Sequence, residues 1–460
     1  MSVLPPPEDG FEFDTGALIV GGGAGGMVAA LSAHERGEEV IVLEADPVPA
    51  GSTSLSAGLI PAPGTTAQKA AGIEDTPQLF AADIMKKAKG ENDPAIVDAL
   101  ASGAAEVIDW LSDTYGLPFT VVNDFDYPGH SRRRMHGLPS RAGRELIDRL
   151  RATVEEQGIT VVTERRVETL FAEENGTIRG VEAVRPDGGR ERIGCTRLIL
   201  ACNGYGGNKD MVREYMPTIG DALYFGHPGN RGDAVLWGAA LGAGTRHLGA
   251  FQGHGNVAHP HGILITWAVM MEGGIQVNLE GRRFWDESQG YSVAARAVLS
   301  QPEGISWAIF DARIAGIARQ FVDFQDAETQ KAVIFADTLA ELAARTRLPA
   351  AALAETIEHL GRGDDPFGRH FDADKRLSPP YAAVRVTGAL FHTQGGLDID
   401  ASARVKRASG GVFPNLFAVG GAACGVSGGG DAGYLSGNGL LSAVVLGRAA
   451  GRANPSSRHA

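Results

Sequence analysis

An unbroken apolar run, Ala17-Leu18-Ile19-Val20, ends directly in Gly21-Gly22-Gly23-Ala24-Gly25-Gly26, and a second, Val40-Ile41-Val42-Leu43, ends in Glu44. A buried strand, a turn too tight for side chains, a helix and a second strand closed by an acid make the pattern of a dinucleotide-binding unit. Gly21 permits the turn. Gly23, with Gly25 beside it, lets the backbone approach a pyrophosphate, and Gly26 lets the helix that starts near Ala24 pack closely on the sheet. The amide end of that helix then faces the phosphates, and Glu44 is placed to accept hydrogen bonds from a ribose.

With 460 residues the chain has room for two or three domains and a sizeable core without disulfide staples. Its 63 glycines suit tight turns and backbone laid against a ligand, because apolar periodic segments persist throughout. A net charge of -13 argues against nucleic acid or an anionic membrane as the main partner. The cysteines, Cys195, Cys202 and Cys424, have neither metal-ligand spacing nor an even count, so no metal is expected and a reducing cytoplasm is. The first fifteen residues lack a basic start, a long apolar stretch and a twin arginine, which speaks against export. The most apolar stretches, Gly16 to Ala33 and Gly439 to Val445, are too glycine-rich or too short to span a bilayer.

From Phe13 to Gly207 strands and helices alternate, with an amphipathic run Asn92 to Tyr115, a helix Ala142 to Gln157, a strand Thr160 to Thr163, and a hairpin turning at Pro186-Asp187-Gly188-Gly189. The middle changes character, with histidine-rich loops, the strand Ile275 to Asn278 and alanine-rich helices between Phe335 and His359. Val412 to Gly420 restores a buried strand, and a glycine-rich loop leads into a last helix from Asn438 to about Ala450. The expected organisation is a nucleotide domain over residues 1–249 that resumes at 389–460, with a cap inserted at 250–388. No internal repeat is visible, and the tail Asn454 to Ala460 is expected to fray.

Four segments carry a more specific likeness: Gly51-Ser52-Thr53-Ser54-Leu55-Ser56-Ala57-Gly58, the stretch Gly273 to Phe284, His392-Thr393-Gln394-Gly395-Gly396-Leu397, and the final glycine-rich strand-to-helix segment. In that order they resemble the flavoprotein family of fumarate reductases, succinate dehydrogenases and 3-ketosteroid dehydrogenases. The resemblance implies an α/β fold, a discontinuous Rossmann-like FAD-binding domain with an inserted α+β substrate or capping domain. It implies FAD in an extended pose, its adenosine end at Gly21 to Glu44, with Ser52, Thr53, Ser56, Gly58, Gly420, Gly437, Asn438 and Leu440 also in the cofactor site. Val167 falls where the family's backbone contacts adenine, and Asp233 where a flavin-side acidic loop is expected. Covalently flavinylated members carry histidine where this chain has Ser52, which implies non-covalent FAD. The family's usual acid after the penultimate strand is Gly421 here.

Fumarate reductases resemble this chain at Glu287 but place an arginine proton donor where Tyr291 stands, and a carboxylate-clamping arginine where Tyr434 stands. A guanidinium fork suits a dicarboxylate, whereas a phenol hydrogen-bonds a neutral ketone and exchanges a proton. The two tyrosines therefore resemble the 3-ketosteroid dehydrogenase branch, of the Δ4-(5α)- or Δ1-type. On that resemblance Tyr291 is the base, Tyr127 a relay, Tyr434 with Ser436 the support for the enolate oxygen, and His392 a substrate contact. The implied partners are a small-molecule ketone and an external electron acceptor whose identity the sequence does not give. A smaller cyclic ketone such as 4-oxocyclohexanecarboxylate, an ene-reductase of the fumarate reductase type, and a non-catalytic FAD-binding protein stay open as alternatives. Plainer readings stand beside these. Tyr127 before Pro128-Gly129 suits turn packing, His254, His259 and His261 suit a polar loop at the mouth of the active site rather than a metal, and Arg132-Arg133-Arg134 suits a solvated charge run.

Overall fold

A computed structural model describes residues 1–123 and 126–454. The chain forms two units, the first from Met1–Met216, Gly226–Phe251 and His392–Ala460, the second from Pro217–Phe225 and Gln252–Phe391.

In the first unit, nine strands among the described residues make one sheet. Phe13–Val20 runs parallel to Val40–Leu43 on one side and to Arg190–Leu200 on the other. Ala17, Leu18 and Ile19 are fully buried, which is why this strand is continuously apolar rather than alternating. On its edge away from Phe13–Val20, Arg190–Leu200 has two further neighbours along its length. Arg190 to Gly194 pairs antiparallel with Ile178–Val184, closing the hairpin at Pro186 to Gly189, and Leu198 to Leu200 pairs parallel with the C-terminal strand Val412–Ala418. The chain's last strand thus rejoins the sheet that its first strands begin.

Two helices set the position of the glycine turn, Ala24–His34 and Asn438–Arg452. A Cβ on Gly447 would lie 2.6 Å from the Gly25 carbonyl oxygen, so the close approach of these helices admits no side chain there. Arg197 is fully buried at the far end of the last helix and donates to the carbonyls of Ala450, Gly451 and Ala453. Glu38 pairs with it at 2.9 Å. A cation among the terminal carbonyls caps the helix and complements its dipole.

The second unit is built on a seven-stranded sheet whose central member is Tyr381–Thr393. Ile305–Asp311 and Val333–Ala336 pair antiparallel with it, and Leu223–Tyr224 pairs parallel with it. That last pairing draws Pro217–Phe225 into the second unit, although its neighbours in sequence belong to the first. Ile275, Val277, Ile309, Leu342, Leu353 and Ala383 form its core. Among the described residues no helix is long and apolar enough to cross a membrane.

Two local expectations change. Arg134 is not part of a solvated run: it is fully buried, pairs with Asp75 at 2.8 Å and with Asp83 at 2.5 Å, and lies 4.7 Å over the Phe80 ring. His254 is not in a polar loop but in the strand Phe251–Ala258, 5% exposed, while His261 is exposed at the following turn. Of the tail expected to fray, residues 455–460 lie outside the described residues.

Candidate active site

Gly21 has φ +109°, and a Cβ on Gly26 would fall 2.0 Å from the Gly21 carbonyl oxygen, so a side chain at Gly26 would force the turn apart. Gly23 caps the Ala24–His34 helix without a side-chain hydrogen bond, and the first turn holds no acid. Apart from the Ala24 N–H, its amide end is therefore left for an anion. The Glu44 carboxylate accepts from the backbone N–H of Gly22 at 2.7 Å and of Asp46 at 2.9 Å, leaving lone pairs for hydroxyl donors. Val167, 3% exposed, lies on the strand Arg166–Ala172. Asp233 stands 3.9 Å from Arg166, the neighbour of Val167 on that strand. Burial raises the Asp233 carboxyl above the ordinary carboxylate range.

Thr53 Oγ1 accepts from the Ala24 N–H at 3.0 Å, and the Ser56 hydroxyl donates to the Thr53 carbonyl while accepting from the Gly58 N–H. These bonds tie the Ser52 to Gly58 segment to the start of the helix. Ser52 Oγ accepts from the carboxamides of Asn203 at 3.0 Å and Asn230 at 2.8 Å. A Cβ on Gly421 would lie 2.0 Å from Asn203 Oδ1, so the Asn203 carboxamide fills the space that a side chain at 421 would need. Asn203 was not apparent from sequence. Its one local signal is an asparagine followed by glycine at the end of a buried strand, the missing side-chain volume at Gly421 being distant, and it does adopt φ +64°, which asparagine tolerates better than most residues.

At the start of the last helix Gly437 has φ +85°, and Asn438 behind it is fully buried with both amide atoms unpartnered. Ser442 Oγ, one turn on, is also buried and unpartnered. Leaving such groups unsatisfied costs about 1–3 kcal/mol each. The edge of a flavin ring carries both N–H and C=O groups, so the residues present fit that cofactor. Leu440 is half-buried in the same turn, and Gly420, with φ +58°, starts the short 3-10 turn that follows the Val412–Ala418 strand. His392 also reaches this helix start, its Nε2 3.9 Å from where a Cβ on Gly439 would be. Tyr434 and Ser436, 8% and 6% exposed, lie on the segment that enters the helix. The Ser436 carbonyl is held by His130 Nε2 at 3.0 Å. Tyr127 packs on Leu59, Val122 and Met135, in the loop that leads to His130.

Tyr291 belongs to the second unit, where it opens the helix Tyr291–Leu299. Its ring stacks on His254 at 5.0 Å, His254 on Phe391 at 5.2 Å, and Phe391 on Phe225 at 4.7 Å, with Trp267 edge-on to His254 at 5.7 Å. Burial pulls His254 down to about 3, so it is a neutral imidazole at pH 7. Its Nδ1 accepts from the Asn256 N–H at 3.2 Å. In the same unit the buried Glu287 pairs with Arg283 at 2.6 Å and Arg369 at 3.0 Å, which commits both cations. Among the described residues no cluster of histidine, cysteine, aspartate and glutamate could hold a metal.

The model of the FAD binding domain family matches residues 16–440. The chain belongs to this family. The flavoprotein is 33% identical over 446 residues to a probable fumarate reductase, Ifc3, of Shewanella frigidimarina, covering 95% of this chain and 74% of that one. It is 26% identical over 577 residues to a 3-oxosteroid 1-dehydrogenase of Mycobacterium tuberculosis, covering 96% and 99%. Among solved structures it is similar to the open conformation of a flavocytochrome c3 fumarate reductase, with a TM-score of 0.82 at 31% identity, covering 96% of this chain and 78% of that one. The flavoprotein is thus an FAD-dependent oxidoreductase of a family that acts on carbon–carbon double bonds.

Proposed function

We propose that the flavoprotein dehydrogenates a cyclic ketone between its α and β carbons, with 3-ketosteroids as the leading substrates and FAD held without a covalent bond. The observation that carries this reading is the stack of Phe225, Phe391, neutral His254 and Tyr291, in a unit whose Arg283 and Arg369 are already committed to Glu287. An uncharged aromatic wall suits a flat, neutral ring, whereas a dicarboxylate there would lose water without gaining a cation. Ser52, engaged by two carboxamides, has no nucleophilic nitrogen to attach to a flavin.

FAD would be held by the Gly21 to Gly26 turn, Glu44, the Ser52 to Gly58 segment and the start of the last helix, and when bound it supplies the two-electron hydride exchange. The side chains handle the proton and the oxygen. Tyr291 takes the proton from the carbon beside the carbonyl; an unperturbed phenol titrates near pH 10, so turnover rises toward alkaline pH. Tyr434 donates to the carbonyl oxygen as negative charge builds on it, supported by Ser436 and the amide end of the last helix. His392, which burial lowers to about 4, is a neutral donor beside them rather than a base. The three free cysteines fit a cytoplasmic location.

A second reading, an ene-reductase, has its own support in the 33% identity to a probable fumarate reductase against 26% to the steroid enzyme. Anaerobic titration separates the two. The oxidised holoprotein is mixed with saturated steroid ketones, cyclohexanones and 4-oxocyclohexanecarboxylate, and the reduced form with fumarate and urocanate. Bleaching of the flavin by a ketone is expected. Reoxidation by fumarate or urocanate, with no ketone bleaching the flavin, would overturn the dehydrogenase reading in favour of the reductase.

A further inference from the structure

Behind His392 lies a hydrogen-bond chain that the proposed reaction does not use. The Ser427 hydroxyl donates to Gln394 Oε1 at 2.8 Å, and Gln394 Nε2 meets His392 Nδ1 at 2.7 Å. Gln394 is 4% exposed and Ser427 1%, so water does not compete for either bond. The main chain also fixes the glutamine, whose N–H donates to the Ala250 carbonyl at 2.8 Å and whose carbonyl accepts from the Gly425 N–H at 2.9 Å.

A carboxamide has one accepting end and one donating end. With the Ser427 hydroxyl on its oxygen, its NH2 group is turned to the imidazole. A ring nitrogen that receives an N–H must present its lone pair, which leaves the single proton of a neutral histidine on the other nitrogen. That other nitrogen, Nε2, is the one near Gly439, in the helix turn that holds the unpartnered Asn438 amide.

We propose that Ser427 and Gln394 are positioning residues that set His392 as a neutral Nε2–H donor toward an oxygen of the bound ligand. This rests on the reading that His392 contacts the ligand. Burial, which keeps the imidazole uncharged at pH 7, works in the same direction.

Heteronuclear NMR of the histidine side chains in the FAD-loaded, full-length protein reads the tautomer directly. At about pH 7 the wild type should show His392 as the Nε2–H form. Gln394→Glu offers a carboxylate that only accepts, so a proton should appear on Nδ1, and ketone-driven flavin reduction should fall roughly 10- to 100-fold with FAD retained. Ser427→Ala is the gentler change: it frees the carboxamide to turn over, and a mixture of tautomers is expected. An Nδ1–H form in the wild type overturns the proposal, as does a Gln394→Glu protein with Nδ1 still unprotonated or a Ser427→Ala protein that keeps the pure Nε2–H form. The NMR result needs no substrate. A protein that oxidised no ketone would therefore remove the proposed reaction and leave the tautomer assignment standing.

Discussion

At Gly21 and Gly26 of the first unit only main chain fits, and the groups left for a ligand are helix amides and one carboxylate; around Tyr291 in the second unit the surface is made of rings. The first arrangement suits a phosphate-bearing cofactor shared by many enzymes, because a helix amide end recognises an anion whatever the rest of the molecule is. The second suits a particular substrate, because ring identity and charge decide what can stack there. Changes in the first should therefore remove the cofactor, and changes in the second should spare it and slow the reaction.

The largest effect is expected at Gly26. In Gly26→Val the new Cβ would fall 2.0 Å from the Gly21 carbonyl oxygen, so the turn must open or the helix must move away. Purified protein should contain no FAD and unfold at a markedly lower temperature. Stoichiometric flavin in that variant would mean that the turn is not the cofactor's seat.

Tyr291→Phe comes next. It should keep its yellow colour and its stacking on His254, yet reduce flavin with ketone roughly 10²–10⁴ times more slowly, with ketone binding nearly unchanged. In the wild type the rate should climb toward alkaline pH with no inflection near neutrality from His254 or His392, since burial holds them at about 3 and about 4. Rapid-mixing spectroscopy across pH tests both statements, and full turnover by Tyr291→Phe would reduce this tyrosine to a packing residue.

Tyr434→Phe should slow flavin reduction by a comparable or smaller factor and also weaken ketone binding, because the ground-state carbonyl already uses part of the same hydrogen bond. Titration of the oxidised variant with a non-reacting enone measures the second loss. Loss of rate with no loss of affinity would leave Tyr434 out of ground-state binding.

The contrast between the units also explains what the sequence disclosed. The glycine turn is local, and its strand, helix and acid are all within a short stretch, so periodicity and glycine spacing reveal it. The return of Val412–Ala418 to the first sheet was readable for a similar reason, as a buried apolar strand followed by a glycine-rich helix start. The ring stack was not. Phe225, His254, Tyr291 and Phe391 are far apart in the chain: the first, second and fourth meet because Leu223–Tyr224 and Phe251–Ala258 both lie beside Tyr381–Thr393 in one sheet, and Tyr291 joins them by stacking on His254. Arg134 misled for a related reason, since three consecutive arginines read as a solvated run until the buried Asp75 and the half-buried ring of His130 are placed around it. Asn203 was hidden because the cue for it, missing side-chain volume at Gly421, is distant in sequence.

The smallest effect concerns acid and sharpens the comparison from the side of stability. Burial lowers His130, His136 and His392 of the first unit to about 4 each, whereas His254 is the fully sequestered histidine of the second. His136 shows why the neutral form is preferred: Nδ1–H donates to the Arg134 carbonyl at 2.9 Å, and Nε2 accepts from the Thr65 hydroxyl at 2.7 Å. An unfolded histidine titrates near 6.5, so below that pH the unfolded chain binds a proton that the folded one refuses. Stability is then untouched above about pH 6.5 and falls as the pH drops toward 4, where the folded group begins to protonate as well. Glutamine at 136 offers a donor and an acceptor without titrating. His136→Gln should match the wild type near pH 7 and exceed it at pH 5 by about 2 kcal/mol, the value given by the roughly 1.5 units between the unfolded pKa of 6.5 and pH 5 at 1.36 kcal/mol per unit, since the folded group at about 4 is still neutral there. Urea unfolding at the two pH values measures this difference. An equal gap between the two proteins at both would show that His136 is not held neutral.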